Sequence, residues 1–137
     1  MDGFSRFVLL TLGVIFAAVG LLGLLAPKLI LDPVHIALET PSSLAEMRAA
    51  YGGTFLGLST LAFLGWRHGA LRQAALTIFA VVLGTFSGAR ALGLLLDGKP
   101  NTLSVVMHLL ENVGFLLAAY CLRQQAKSEV SKIGPGQ

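Results

Sequence analysis

A few residues capable of chemistry stand inside otherwise apolar stretches: Arg48, Tyr51, Arg90, His108 and Glu111, with Asn112 beside them and Asp97 a little further on. An arginine offers several N–H donors and a permanent charge, so it suits a carboxylate, a phosphate or a carbonyl oxygen. Histidine and glutamate can in addition move a proton to or from a bound molecule. A charge within a lipid-embedded helix costs at least about 2.5–3.5 kcal/mol on insertion scales, so each of these groups needs a partner or a task. Two arginines facing one well-placed carboxylate leave an excess of positive charge. That excess would attract an acidic head group, a phosphate, or a carbonyl-bearing lipid or quinone. The same residues also fit a purely structural role, in which Arg90 and Glu111 pair and pin two helices together.

Helical geometry groups these residues. At 1.5 Å per residue, Arg48 and Tyr51 lie about 7 and 12 Å into their segment, and Arg90 about 10 Å from Asp97. His108 and Glu111 lie about 10 and 15 Å beyond Asn101 on the same rise. All fall in one half of the bilayer or, for Glu111, near its middle. Arg48, Tyr51, Phe55 and Ser59 make one helical stripe, with Glu46, Gly53 and Gly57 nearly opposite. Leu83, Phe86, Arg90, Leu94 and Asp97 share a face of the next helix. Ser104, His108, Glu111 and Phe115 share a face of the last, with Asn112 beside His108. The expected product is a pocket open to the outer side, lined by Arg48, Tyr51, Arg90, His108, Glu111 and Asn112, with Asp97 at its mouth.

The elements that must hold such a pocket are transmembrane helices. Hydrophobic residues make up 55% of the 137-residue chain and charged residues 12%, and the mean hydropathy is +0.77. A soluble domain of this size would need more polar surface. The net charge of +3 comes without a basic cluster interleaved with aromatics, so no nucleic-acid partner is expected. The fold class expected is all-α: an integral membrane four-helix bundle over residues 1–123, followed by a polar cytoplasmic tail over 124–137.

The first helix covers residues 7–26, too long for a signal-peptide core, and Pro27 ends it. Gly13, Ala17 and Gly20 give it a flat face for close packing. Residues 28–42 read as a loop or short interfacial helix, with His35 a loop histidine. The second helix opens on Ser43-Leu44-Ala45-Glu46, which has the form of a capping box, and runs to Trp66, an interfacial anchor. Arg67, His68 and Arg72 form a short loop. The third helix covers 73–96, with Gly84 and Gly88 repeating the small-residue spacing of Gly53 and Gly57. Asp97-Gly98-Lys99-Pro100-Asn101 is a tight turn. The fourth helix, 102–122, starts from Asn101 as N-cap, and the tail ends in a frayed Gly134-Pro135-Gly136. Arg6, Arg67, Arg72, Arg123, Lys127 and Lys132 gather on one side, which places both termini in the cytoplasm.

Other chemistries find little footing. Cys121 is the single cysteine, which excludes an internal disulfide and reads as a packing residue. His108-Leu109-Leu110-Glu111 resembles half of a helical metal site, but the matching pair is missing, so no metal and no cofactor are expected. No phosphate loop or nucleophile elbow is present. No charged path crosses both halves of the bilayer, which argues against a pump or a channel.

The string Glu46-Met47-Arg48-Ala49-x-Tyr51-Gly52-Gly53-x-x-Leu56-Gly57 is followed by Gly88-Ala89-Arg90-x-x-Gly93, Asp97-Gly98-x-Pro100 and Glu111. This combination resembles a family of small bacterial membrane proteins catalogued as domain of unknown function 4345, over residues 5–123. The resemblance implies four transmembrane helices in the bacterial inner membrane. It singles out Arg48, Tyr51, Arg90, Asp97 and Glu111, and implies no activity. More distantly, the architecture is similar to DoxX-like membrane proteins, some associated with quinone-linked redox systems. The function expected is an accessory or binding subunit whose outward-facing pocket takes a lipid-like or quinone-like molecule. One alternative is a small membrane enzyme, an isomerase or hydrolase-like activity on a lipid using Glu111 or His108. Another is a structural subunit, packing against a membrane partner or a second copy through its glycine faces.

Overall fold

The computed structural model describes residues 2–98 and 100–133, with side chains from 3 to 128. The expectations for Lys99 and for Gly134-Pro135-Gly136 lie outside the described residues, as do those for the side chains of Glu129 and Lys132. Among the described residues every regular element is helical. Three helices are long and apolar enough to cross a membrane: Gly3–Leu25, Gly69–Asp97 and Thr102–Ser128.

Helix α1, Asp2–Leu25, stops where Ala26 leaves helical geometry (φ −141°, ψ 62°). The following Pro27 imposes that break, because its ring disfavours a helical residue before it. Pro27 then opens the short α2, Pro27–Leu31, and a 3₁₀ turn follows at Asp32–Val34. His35 closes the turn in a left-handed conformation (φ 59°) and is exposed.

Helix α3, Pro41–Met47, begins earlier than the Ser43 cap implies. The capping box is formed by Thr40 and Ser43, not by Ser43 and Glu46. The Ser43 amide donates to Thr40 Oγ1 at 3.1 Å, and the Thr40 amide donates to Ser43 Oγ at 3.2 Å. Pro41 decides the difference: its fixed φ suits the first helical position, so the cap falls one residue before it. Glu46 is left exposed on the helix surface with no capping task. Thr40→Ala should therefore cost about 1 kcal/mol, while Glu46→Gln should leave stability unchanged. Thermal melts of the detergent-solubilised protein check both.

A π-helical segment, Arg48–Gly53, joins α3 to α4, Thr54–Arg67. Dihedrals at both joins stay right-handed (Met47 φ −68°, ψ −36°; Gly53 φ −63°, ψ −50°), so residues 41–67 trace one continuous helical path. The wide turn falls on Ala49, Ala50, Gly52 and Gly53, which carry little or no side chain to resist it.

The expected loop of Arg67, His68 and Arg72 shrinks to His68 alone (φ −109°, ψ 112°). Helix α5, Gly69–Asp97, starts at once and holds Arg72 in its first turn. Ala70, Leu71, Arg72 and Gln73 are good helix formers with no proline among them, so nothing delays the start. Gly98 ends α5 at φ 91°, ψ −152°, a region essentially reserved for glycine. Helix α6, Thr102–Ile133, is capped by Asn101, whose Oδ1 accepts from the Ser104 amide at 2.8 Å. The same side chain donates to the Pro33 carbonyl at 2.8 Å and ties the two loops at this end together. Helix α6 does not stop at Leu122. Gln124, Gln125, Ala126 and Lys127 favour helix, and no breaker occurs before Gly134.

Helix α1 packs along the π segment and α4, α4 along α5, and α5 along α6; α1 and α6 touch sparingly. The core lies where α1, α4, α5 and α6 converge, around Leu9, Phe16, Leu76, Phe79 and Cys121. Gly13 and Gly20 serve the packing role expected of them. A Cβ at Gly13 would meet the Phe63 ring at 3.1 Å, and one at Gly20 would sit 2.8 Å from the Leu56 amide. Ser59, buried on the facing helix, donates to the Gly13 carbonyl at 2.8 Å. At the far end Arg6 lies over Trp66, 5.9 Å from the ring centroid.

Candidate functional site

Arg90 on α5 and Glu111 on α6 form a direct ion pair. Arg90 Nε donates to both carboxylate oxygens, at 2.9 and 2.8 Å. The two side chains differ in exposure: Arg90 is 39% accessible and Glu111 only 11%. Because Nε serves both oxygens, the two terminal amines of Arg90 have no acceptor among the described residues.

Two spaces meet at this pair. On one side is a cavity of about 250 Å³ between the end of α5 and the start of α6, walled by Arg90, Leu94, Asp97, Pro100, Ser104 and His108. On the other is a groove of about 220 Å³ running between α1 and α6. Its floor is Leu12, Phe16, Leu83 and Gly114, and its rim includes Phe7, Ile15, Leu110 and Leu117, all exposed. Glu111 is the one ionisable side chain in its lining. The groove exists because α1 and α6 do not close on each other. Gly114 deepens it, since a Cβ there would lie 2.7 Å from Leu83 Cδ1.

His108 and Asn112 sit one helical turn apart. The Asn112 amide donates to the His108 carbonyl at 2.8 Å and lies 3.3 Å from His108 Nε2. An amide nitrogen can only donate, so Nε2 accepts and the ring proton is assigned to Nδ1. His108 Nδ1 is buried with no partner among the described residues. It is a donor in search of an acceptor.

The second arginine is elsewhere. Arg48 Nε donates to the Leu24 carbonyl at 3.1 Å, at the C-terminal end of α1. Pro27 is what leaves that carbonyl available, because α1 cannot continue past it. A cation there also complements the helix dipole. Tyr51 stacks on Phe55, with centroids 5.9 Å apart, and Phe55 packs on Phe16 at 5.2 Å and Phe86 at 6.4 Å. The stripe Arg48, Tyr51, Phe55 and Ser59 holds together as a face, and that face is turned to α1. The structure thus brings Arg90, Glu111, His108, Asn112 and Asp97 together at the α5–α6 end. Arg48 and Tyr51 stand at the α1 junction, with Tyr51 linked to the groove wall through Phe55.

Some contributors were not singled out from sequence: the α1 face Phe7, Thr11, Ile15 and Val19, and Met107 and Gly114 on α6. The four-residue spacing of the α1 face was the available signal. Gly53, Gly57 and Gly88 meet nothing within 4 Å of an added Cβ, so these glycines face outward, whereas Gly84 receives the Phe115 ring at 3.2 Å. Among the described residues no group of three or more His, Cys, Asp or Glu side chains could hold a metal ion.

A family model described as Domain of unknown function (DUF4345) matches residues 4–122. No curated protein and no solved structure matches the chain.

Proposed function

The chain belongs to the DUF4345 family, and we propose that this member is a four-helix integral membrane protein that binds an amphipathic, lipid-like or quinone-like molecule. The apolar tail lies in the α1–α6 groove and the polar head at Arg90, in the cavity beside it. The α3–π–α4 path is the fourth membrane-crossing helix of the bundle. Both termini lie on the cytoplasmic face of the bacterial inner membrane, and the site opens toward the outer side. The protein acts as a binding or accessory subunit.

One observation carries this reading: a cavity edged by Arg90, Asp97, Ser104 and His108 and an apolar groove, of similar size, abut at a single ion pair. Ligand sites combine mostly apolar walls with a few convergent polar groups. The free amines of Arg90, with Asp97 and Ser104 on the same wall, supply those groups. Catalysis through Glu111 draws less support, because both of its oxygens are already engaged by Arg90.

Native mass spectrometry of the mildly solubilised protein tests the proposal. Leu110→Trp fills the exposed rim of the groove without touching the core. A defined small molecule should accompany the wild type and fall at least fivefold in that variant. Equal retention in both would overturn the groove as a binding site. A structural reading is favoured by the good geometry of the Arg90–Glu111 pair itself. It predicts no bound molecule at all, and a protein partner indifferent to Leu110→Trp.

A further inference from the structure

We infer that the head of the bound molecule is uncharged: a lipid carrying carbonyl or hydroxyl oxygens rather than a phosphate or a carboxylate. This rests on the binding site proposed above and names its ligand class.

The charges around the site carry the argument. The sequence suggests two arginines against one carboxylate, an electropositive site. The geometry reverses that balance. Arg48 is engaged with the Leu24 carbonyl on α1 and lines neither the cavity nor the groove. Among the described residues the cavity and its ion pair hold one cation, Arg90, against two carboxylates, Glu111 and Asp97. Arg90 is already matched by Glu111 through Nε, and Asp97 lies across the cavity wall. Among the described residues an anionic head would be a third negative charge beside one positive charge, and like charges repel.

Hydrogen bonding points the same way. The unmet donors on the wall are the two terminal amines of Arg90. A neutral carbonyl or hydroxyl oxygen satisfies them without bringing charge. Asp97 and the Ser104 hydroxyl can accept from a hydroxyl on the same head. The preference is thus for an oxygen-bearing neutral head on an apolar chain, as in a diacylglycerol or an isoprenoid quinone.

The test titrates the full chain in detergent with dioleoylglycerol, menaquinone-4 and dioleoylphosphatidylglycerol in separate series, read by native mass spectrometry. The first and third share their chains and differ in the phosphate. The second separates a quinone head from a glyceride head, and tight binding of either supports the proposal. The wild type should bind a neutral probe at least fivefold more tightly than dioleoylphosphatidylglycerol. Asp97→Lys, at an exposed position, should raise binding of the phospholipid at least fivefold. Phospholipid bound as tightly as both neutral probes by the wild type, and lost in Leu110→Trp, would overturn the neutral head while leaving the amphipathic site standing. Binding of all three probes unchanged by Leu110→Trp would overturn the site and this inference together.

Discussion

Replacing Arg90 with glutamine is expected to cost about 2–4 kcal/mol of stability, and replacing Glu111 with glutamine in the same molecule is expected to recover most of that loss. The asymmetry of exposure drives the result. Glu111 is only 11% accessible and lies in the lining of an apolar groove. Without Arg90 its carboxylate would be left charged, unpaired and poorly solvated, the situation that makes broken buried pairs costly. The reverse variant is milder. With Glu111→Gln, Arg90 remains 39% accessible and borders the open cavity, so it can turn to water; about 1 kcal/mol is expected. The double variant puts two amides where the ion pair was, and they can hydrogen-bond to each other. A double-mutant cycle from unfolding in mixed micelles measures the coupling. Equal losses for the two single variants, adding up in the double, would mean that the pair contributes nothing as a pair.

The sequence was most legible where a single residue sets local geometry. Pro27 ends α1, Asn101 caps α6, and three of the expected spans are long and apolar enough to cross a membrane. Depth and face along α5 and α6 were enough to set Asn112 beside His108 and to leave Arg90 a choice of Glu111 or Asp97, which only the structure decides in favour of Glu111. Arg48 was different, because its partner is a backbone carbonyl. A carbonyl has no side-chain identity to read, and only the break at Pro27 leaves Leu24 free to accept. The placement of the α3 cap turned on whether Pro41 lies inside or outside the helix. The groove was hidden for a further reason: it arises from the sparse contact of α1 with α6, a property of how the helices are arranged and not of any one of them. The π segment likewise follows from packing, since Gly52 and Gly53 permit a wide turn without requiring one.

Gly52→Ala and Gly53→Ala should separate sharply, although the two glycines are neighbours in the same π turn. Gly52→Ala is expected to lose about 1–3 kcal/mol, and Gly53→Ala to be neutral or to gain up to about 1 kcal/mol from a less flexible unfolded chain. A Cβ at Gly52 would lie 2.9 Å from the Leu24 amide nitrogen, Cα and Cβ, while one at Gly53 meets nothing within 4 Å. The obstacle at Gly52 is main chain, which cannot rotate aside as a side chain can. The opposing surface is equally closed: a Cβ at Gly23 would sit 3.0 Å from the Gly52 amide and from Tyr51 Cβ. Added bulk at Gly52 therefore has to push α1 away from the π segment. That displacement would stretch the Arg48–Leu24 hydrogen bond and unseat Tyr51 from its place above Phe55, the ring that packs on Phe16 and Phe86 in the groove wall. Gly52→Ala should accordingly weaken ligand retention as well as stability, although it touches neither the cavity nor the groove. Because both variants make the same change to helix propensity, thermal melts of the pair isolate the contact with Leu24. Indistinguishable melting of the two would remove the α1 junction as the reason for a glycine at position 52, and with it the role given to Arg48 and Tyr51 in holding the groove open.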